Sequence, residues 1–115
     1  VEVDKTMALK YYKMACEKGN FEAAQIIGEF YEYGIGTEEN LQEAAKYYKI
    51  AADGGLPNSM CCYAKMLMYG SGVEVNTKEA RKYYQKALDN GLTIASSFLQ
   101  ILDFSEKFLF HLSDQ

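Results

Sequence analysis

Few side chains in this chain have an obvious capacity for chemistry. The candidates are the single histidine, His111, three cysteines (Cys16, Cys61 and Cys62) and the adjacent acids Glu38 and Glu39. A histidine serves as base or ligand when a second titratable group is set beside it. His111 falls in the tail after the last regular segment and reads as a surface residue. Cys61 and Cys62 are neighbours, about 100° apart on a helix, and no C-x2-C pair is present to chelate zinc. Cys16 and Cys62 read as small buried hydrophobes, which leaves Cys61 as the thiol to test for reactivity. Paired carboxylates do acid–base work across a cleft that raises one pKa, whereas Glu38 and Glu39 read as solvated loop residues. Gly34-Ile35-Gly36 and Gly70-Ser71-Gly72 invite comparison with phosphate-cradling loops. No strand precedes them, no third glycine follows, and Glu38 and Glu39 would repel phosphate, so they read as turns. No catalytic, cofactor-binding or metal-ligating residue is expected, and the chain is not expected to be an enzyme.

Composition narrows the alternatives. With 115 residues, 49% hydrophobic and 24% charged, the chain suits one globular domain with a modest core. A net charge of −4 and a single arginine, Arg81, argue against nucleic acid, which needs a dense basic face. They argue equally against an anionic membrane surface. The apolar stretch Met60 to Tyr69 is interrupted by Lys65 and is too short to span a bilayer. No signal peptide is visible. The chain begins without Met and enters a repeat partway through, so a leader or further repeats are expected to precede it. An odd, irregularly spaced cysteine set does not describe a disulfide framework, and it favours a reducing, cytoplasmic setting.

The elements that position these residues emerge when the chain is laid against itself with a shift of 36 residues. Ala8, Ala44 and Ala80 coincide, as do Tyr11, Tyr47 and Tyr83, and Tyr12, Tyr48 and Tyr84. Ala15, Ala51 and Ala87 follow, then Gly19, Gly55 and Gly91, while Gly34 matches Gly70 and Gly36 matches Gly72. A fixed period of this size marks a solenoid array. Each unit reads as two helices. One spans Lys5 to Lys18, Leu41 to Asp53 and Thr77 to Asp89, with an Ala-Tyr-Tyr-Ala stripe at i, i+3, i+4 and i+7 turned inward. The other spans Phe21 to Tyr33, Pro57 to Tyr69 and Thr93 to about Asp103. Its buried face is expected at Ala23, Ile26, Ile27, Phe30 and Tyr31, then Ser59, Cys62, Tyr63, Met66 and Leu67, then Ala95, Phe98, Leu99 and Leu102.

The helix ends are punctuated. Asp4, Asn40 and Asn76 stand at N-cap positions, and Glu43 and Glu79 three residues later complete a capping-box pattern. Gly19, Gly55 and Gly91 stand where a left-handed residue ends a helix.

The run Ala23, Ile27-Gly28, Tyr31, Gly34-Ile35-Gly36, Asn40, Ala44, Tyr47-Tyr48, Ala51-Ala52, Gly55 resembles the Sel-1-like repeat, a relative of the tetratricopeptide repeat. The resemblance covers about residues 4 to 103. Tyr47 and Tyr83 replace a common Trp, and Asn40 and Asn76 replace the usual Asp. In the third copy Gln100 stands at the small-residue position, Asp103 at the tyrosine, and Glu106 and Phe108 at the loop glycines. The expected organisation is therefore a repeat array over residues 1–103, comprising a half repeat 1–19, repeats 20–55 and 56–91, and a degenerate half repeat 92–103. Residues 104–115 form a tail, with Ser105 to Ser113 expected as a separate capping helix.

The resemblance implies an all-α fold, an α-α superhelix (solenoid) of antiparallel helix pairs, and a function as adaptor or scaffold for another protein or peptide. In such stacks the first helix of each pair lines a concave face. The inward positions are then Glu22, Gln25, Glu29, Glu32 and Tyr33; Asn58, Cys61, Lys65, Met68 and Tyr69; and Ile94, Ser97 and Ile101. The first set is acidic and the later sets turn apolar, which suits a peptide with a basic stretch beside an apolar anchor. Two alternatives stand beside this reading. One is a spacer within a longer solenoid, with no ligand of its own. The other is a penicillin-binding or β-lactamase-like role, known in a cysteine-rich branch of the family whose regular cysteine spacing this chain lacks.

Overall fold

The computed structural model describes residues 4–113. Among these the chain forms α1 (Lys5–Glu17), α2 (Phe21–Tyr33), α3 (Leu41–Asp53), α4 (Pro57–Tyr69), α5 (Thr77–Asp89) and α6 (Ala95–Ser113). The helices pack in chain order as antiparallel neighbours, each against the one before and the one after. The Cα radius of gyration is 16.0 Å, and the principal extents are 60 × 28 × 24 Å. A compact chain of this length would give about 13 Å, so the stack is elongated, as nearest-neighbour packing requires.

α2 to α5 begin and end where the sequence places them. The side chains of Asp4, Asn40 and Asn76 accept from the backbone N–H of Met7, Glu43 and Glu79 at 3.0–3.1 Å. Asn20 caps α2 in the same way, accepting from Ala23 N at 2.9 Å. The reciprocal half of the expected capping box is replaced. The Asn40 N–H donates to the Tyr31 carbonyl and the Asn76 N–H to the Leu67 carbonyl, both at 2.8 Å. That donor ties the returning chain to the helix before it, leaving nothing for Glu43 or Glu79 to accept. Gly34 and Gly70 end α2 and α4 in the left-handed region, at φ 67° and 70°.

The core repeats as the stripe does. Ala44, Tyr48 and Ala51 are buried in α3, and Ala80, Tyr83, Tyr84 and Ala87 in α5. Gly28 lets the Tyr48 ring lie directly on α2, where a Cβ would sit 2.9 Å from the ring. Ala64 fills the matching place in α4 and is fully buried. Tyr47 stacks on Tyr31, and Tyr83 meets Tyr63 edge-on at 4.9 Å between ring centroids, so each of these tyrosines closes on the helix just before its own. The first copy departs from the expected inward stripe. Tyr11 is 61% exposed because no described helix precedes α1 to cover it.

The third copy also departs. The expected break near Asp103 is absent, and α6 runs unbroken from Ala95 to Ser113. Glu106 stands where Gly34 and Gly70 turn the chain, so no left-handed residue ends the helix there. Arg81 of α5 reinforces the continuation, with ion pairs to Asp103 at 2.6 Å and Glu106 at 2.8 Å. Two turns of the helix earlier, α6 begins at Ala95 rather than Thr93, after turn bonds from Ala95 N to Leu92 O and from Ser96 N to Thr93 O.

Candidate functional site

The first helices of successive pairs, α2, α4 and α6, pack mainly against the intervening α3 and α5, and side chains reach between them. The Ser59 hydroxyl of α4 donates to the Gln25 side-chain oxygen of α2 at 2.8 Å. The Lys65 ammonium of α4 lies over the Phe98 ring of α6, 5.4 Å from its centroid. These two cross-links give the stack one continuous face.

A groove of about 580 Å³ opens in that face between the C-terminal halves of α2 and α4. Five of the expected residues meet there: Glu29, Glu32, Tyr33, Lys65 and Tyr69. The rest of its lining comes from the interhelix loops and from α3, namely Glu39, Ser71, Leu41 and Tyr48, with Cys62 and Met66 of α4. Those residues were missed by reasoning from one helix type. The 16-residue offset of Tyr48 from Glu32 was the available signal, since the Tyr48 hydroxyl donates to the Glu32 carboxylate at 2.7 Å.

The remaining expected positions take other places. Gln25 is occupied with Ser59 rather than with the groove. Cys61 is buried, although an exposed position was expected, and belongs to the core. In the repeat register it matches Gln25, and it lies near Tyr84 of α5. The face boundary falls between the two thiols, and Cys62, expected in the core, is only half-buried and lines the groove. Met68 is half-buried and receives the Tyr84 hydroxyl on its sulfur at 3.7 Å. Glu22 and Asn58 are exposed near the start of their helices, Ile94 is exposed in the turn just before α6, and Ser97 and Ile101 are exposed along α6.

The groove has a negative field on its α2 side. The Tyr33 hydroxyl is held above its ordinary pKa first by the Glu32 charge and then by burial. Burial and the hydrogen bond to Glu32 push Tyr48 up strongly. Burial, then Glu32, pushes the Cys62 thiol up to about 11. Each of these groups stays neutral at ordinary pH, because an added negative charge there is disfavoured. Burial also raises Cys61. The three cysteines are free thiols. Among the described residues no group of His, Cys, Asp and Glu is placed to hold a metal ion. No described helix is long and apolar enough to cross a membrane.

Comparison with known proteins decides the family. The Sel1 repeat model matches residues 1–20, 22–56 and 57–92. The chain belongs to the Sel1 repeat family. A Sel1 repeat protein from Oxalobacter formigenes superposes with a TM-score of 0.85 at 30% identity, covering 88% of this chain and 42% of that one. A protective antigen of uropathogenic Escherichia coli with an SLR fold gives 0.82 at 29%, covering 84% and 21%. Cysteine rich protein B of Helicobacter pylori gives 0.79 at 29%, covering 84% and 73%. This Sel1 repeat chain thus spans about a fifth of the antigen and two fifths of the Oxalobacter protein. No curated protein sequence matches it.

Proposed function

We propose that this Sel1 repeat chain is a protein-interaction module that takes a segment of another protein on the face formed by α2, α4 and α6. The carrying observation is the groove between α2 and α4. It combines an apolar floor from Leu41 and Met66, aromatic walls from Tyr33 and Tyr69, and a few converging charges from Glu29, Glu32 and Lys65. Apolar lining with a small number of placed polar groups is the composition of a binding cleft. Concave faces are the working surfaces of solenoids. Titrating peptides from a random 12-residue library tests the reading. Selected binders lose affinity with Glu29→Lys or Lys65→Glu while the helix content stays unchanged.

A second reading, a spacer within a longer solenoid, draws support from α1. Met7, Tyr11 and Met14 present an exposed apolar edge of the kind a preceding helix would cover. A pure spacer would retain no peptide and would be indifferent to both charge reversals.

A further inference from the structure

Positions that match under the 36-residue shift change character in one direction across the face. The row Glu29, Lys65, Ile101 runs from acid through cation to apolar, and the row Glu32, Met68, Phe104 from acid through thioether to aromatic. At the start of the helices, Glu22, Asn58 and Ile94 repeat the trend. The apolar end is open to solvent, with Ile94 57%, Ile101 45% and Phe104 72% exposed. It is longer than the sequence pattern allowed, because α6 continues past the point where α2 and α4 end. Phe108, stacked on Phe104, extends the same edge. The Arg81 pairs to Asp103 and Glu106 hold that extension against α5.

We infer that the bound segment crosses the face in one orientation, with a cationic end over α2 and a bulky apolar end on α6. This rests on the interaction reading above and specifies its partner. Charge complementarity places the cation at Glu22, Glu29 and Glu32. Lys65 repels a cation from the middle and favours a carboxylate or carbonyl there. Ile101 and Phe104 offer the apolar anchor what it needs, a desolvating surface. α2, α4 and α6 pack mainly against the intervening α3 and α5, so α2 and α6 stand at least two direct helix spacings of about 8–10 Å apart, about 16–20 Å or more. An extended chain rises about 3.3 Å per residue, so the cation and the anchor stand at least about five to six residues apart.

The test uses synthetic 12-residue peptides carrying two lysines and a phenylalanine, separated by either six or two residues, with a nitroxide at one end or the other. The six-residue spacing is expected to bind about tenfold more tightly. It should lose that advantage in Glu22→Lys/Glu29→Lys and in Ile101→Glu, Glu22 and Ile101 being exposed and Glu29 half-buried at the groove. The nitroxide at the lysine end should broaden amide signals of α2, and at the phenylalanine end those of α6. Equal affinity for the two spacings, or reversed broadening, overturns the orientation while leaving the interaction module standing. Binding of neither peptide, together with an empty library selection, overturns both. Broadening confined to α6, with the chain migrating as a dimer, assigns the apolar edge to a second copy and overturns the inference.

Discussion

Replacing Gly72 by alanine probes how one hairpin is seated on the next. Gly72 has φ 73°, and a Cβ there would run into the Leu41 backbone carbonyl at the start of α3. Gly36 meets the Lys5 carbonyl in the same way, so the second loop glycine of each unit is a docking point on the preceding helix start. Gly55 supplies the control. Its φ is 102°, yet a Cβ would meet nothing within 4 Å. Both substitutions place a side chain in the left-handed region, at a cost of about 1–2 kcal/mol. Only Gly72→Ala adds an overpacked contact with backbone that cannot rotate away, about 1–3 kcal/mol more. The expected losses are therefore about 2–5 kcal/mol for Gly72→Ala and about 1–2 kcal/mol for Gly55→Ala. At about 4 °C per kcal/mol, the midpoints should differ by about 8 °C. Urea and thermal unfolding followed by helical circular dichroism read the difference, with the urea slope unchanged if only stability has moved. Equal losses in the two variants would refute the reasoning, because the loop would then not rest on α3.

Gly28→Leu should cost about 2 kcal/mol or more by displacing the Tyr48 ring, whereas Ala64→Gly should cost about 1–2 kcal/mol from helix propensity and its lost buried methyl; chemical denaturation compares them. Partial burial opposes the Asp53 charge, but the Lys49 ammonium at 2.8 Å and the Tyr83 hydroxyl at 2.7 Å outweigh it and hold the carboxyl below its ordinary 3.8. A depressed pKa contributes stability above the unfolded value that is lost as pH falls toward the folded one, so Asp53→Asn should flatten the stability profile below about pH 4. With a pKa of about 11, Cys62 is roughly 0.1% thiolate at pH 8, so iodoacetamide should label it far more slowly than a free cysteine. Arg81→Ala should speed amide exchange at 105–113 while leaving α2 to α5 protected, since it removes the pairs at Asp103 and Glu106.

The repeat was legible because its signals are local. Alanine and tyrosine spacing, Asn caps and positive-φ glycines each act within a few residues, and the boundaries of α2 to α5 follow from them. What needed the structure were consequences of neighbours. Tyr11 has the inward pattern of Tyr47 and Tyr83 but lacks the helix that would cover it. Cys61 was expected on the open face and is buried in the core near Tyr84 of α5, whereas the matching Gln25 finds Ser59. The continuation of α6 turns on Glu106 and its distant partner Arg81, a pairing across 25 positions that no helical period reveals. Four of the eleven residues lining the groove, Glu39, Ser71, Leu41 and Tyr48, come from loops and from α3, which the repeat register alone does not bring to that face.

The proposed working surface is formed by α2, α4 and α6, with α1, α3 and α5 backing it. Amide shift mapping of the isotopically labelled chain, titrated with the tightest peptide from the random library, tests this directly. The largest changes should fall on Glu29 to Tyr33, Lys65 to Tyr69 and Ile101 to Phe104. Changes clustered instead on the outer lysines Lys10, Lys46 and Lys82 would contradict it.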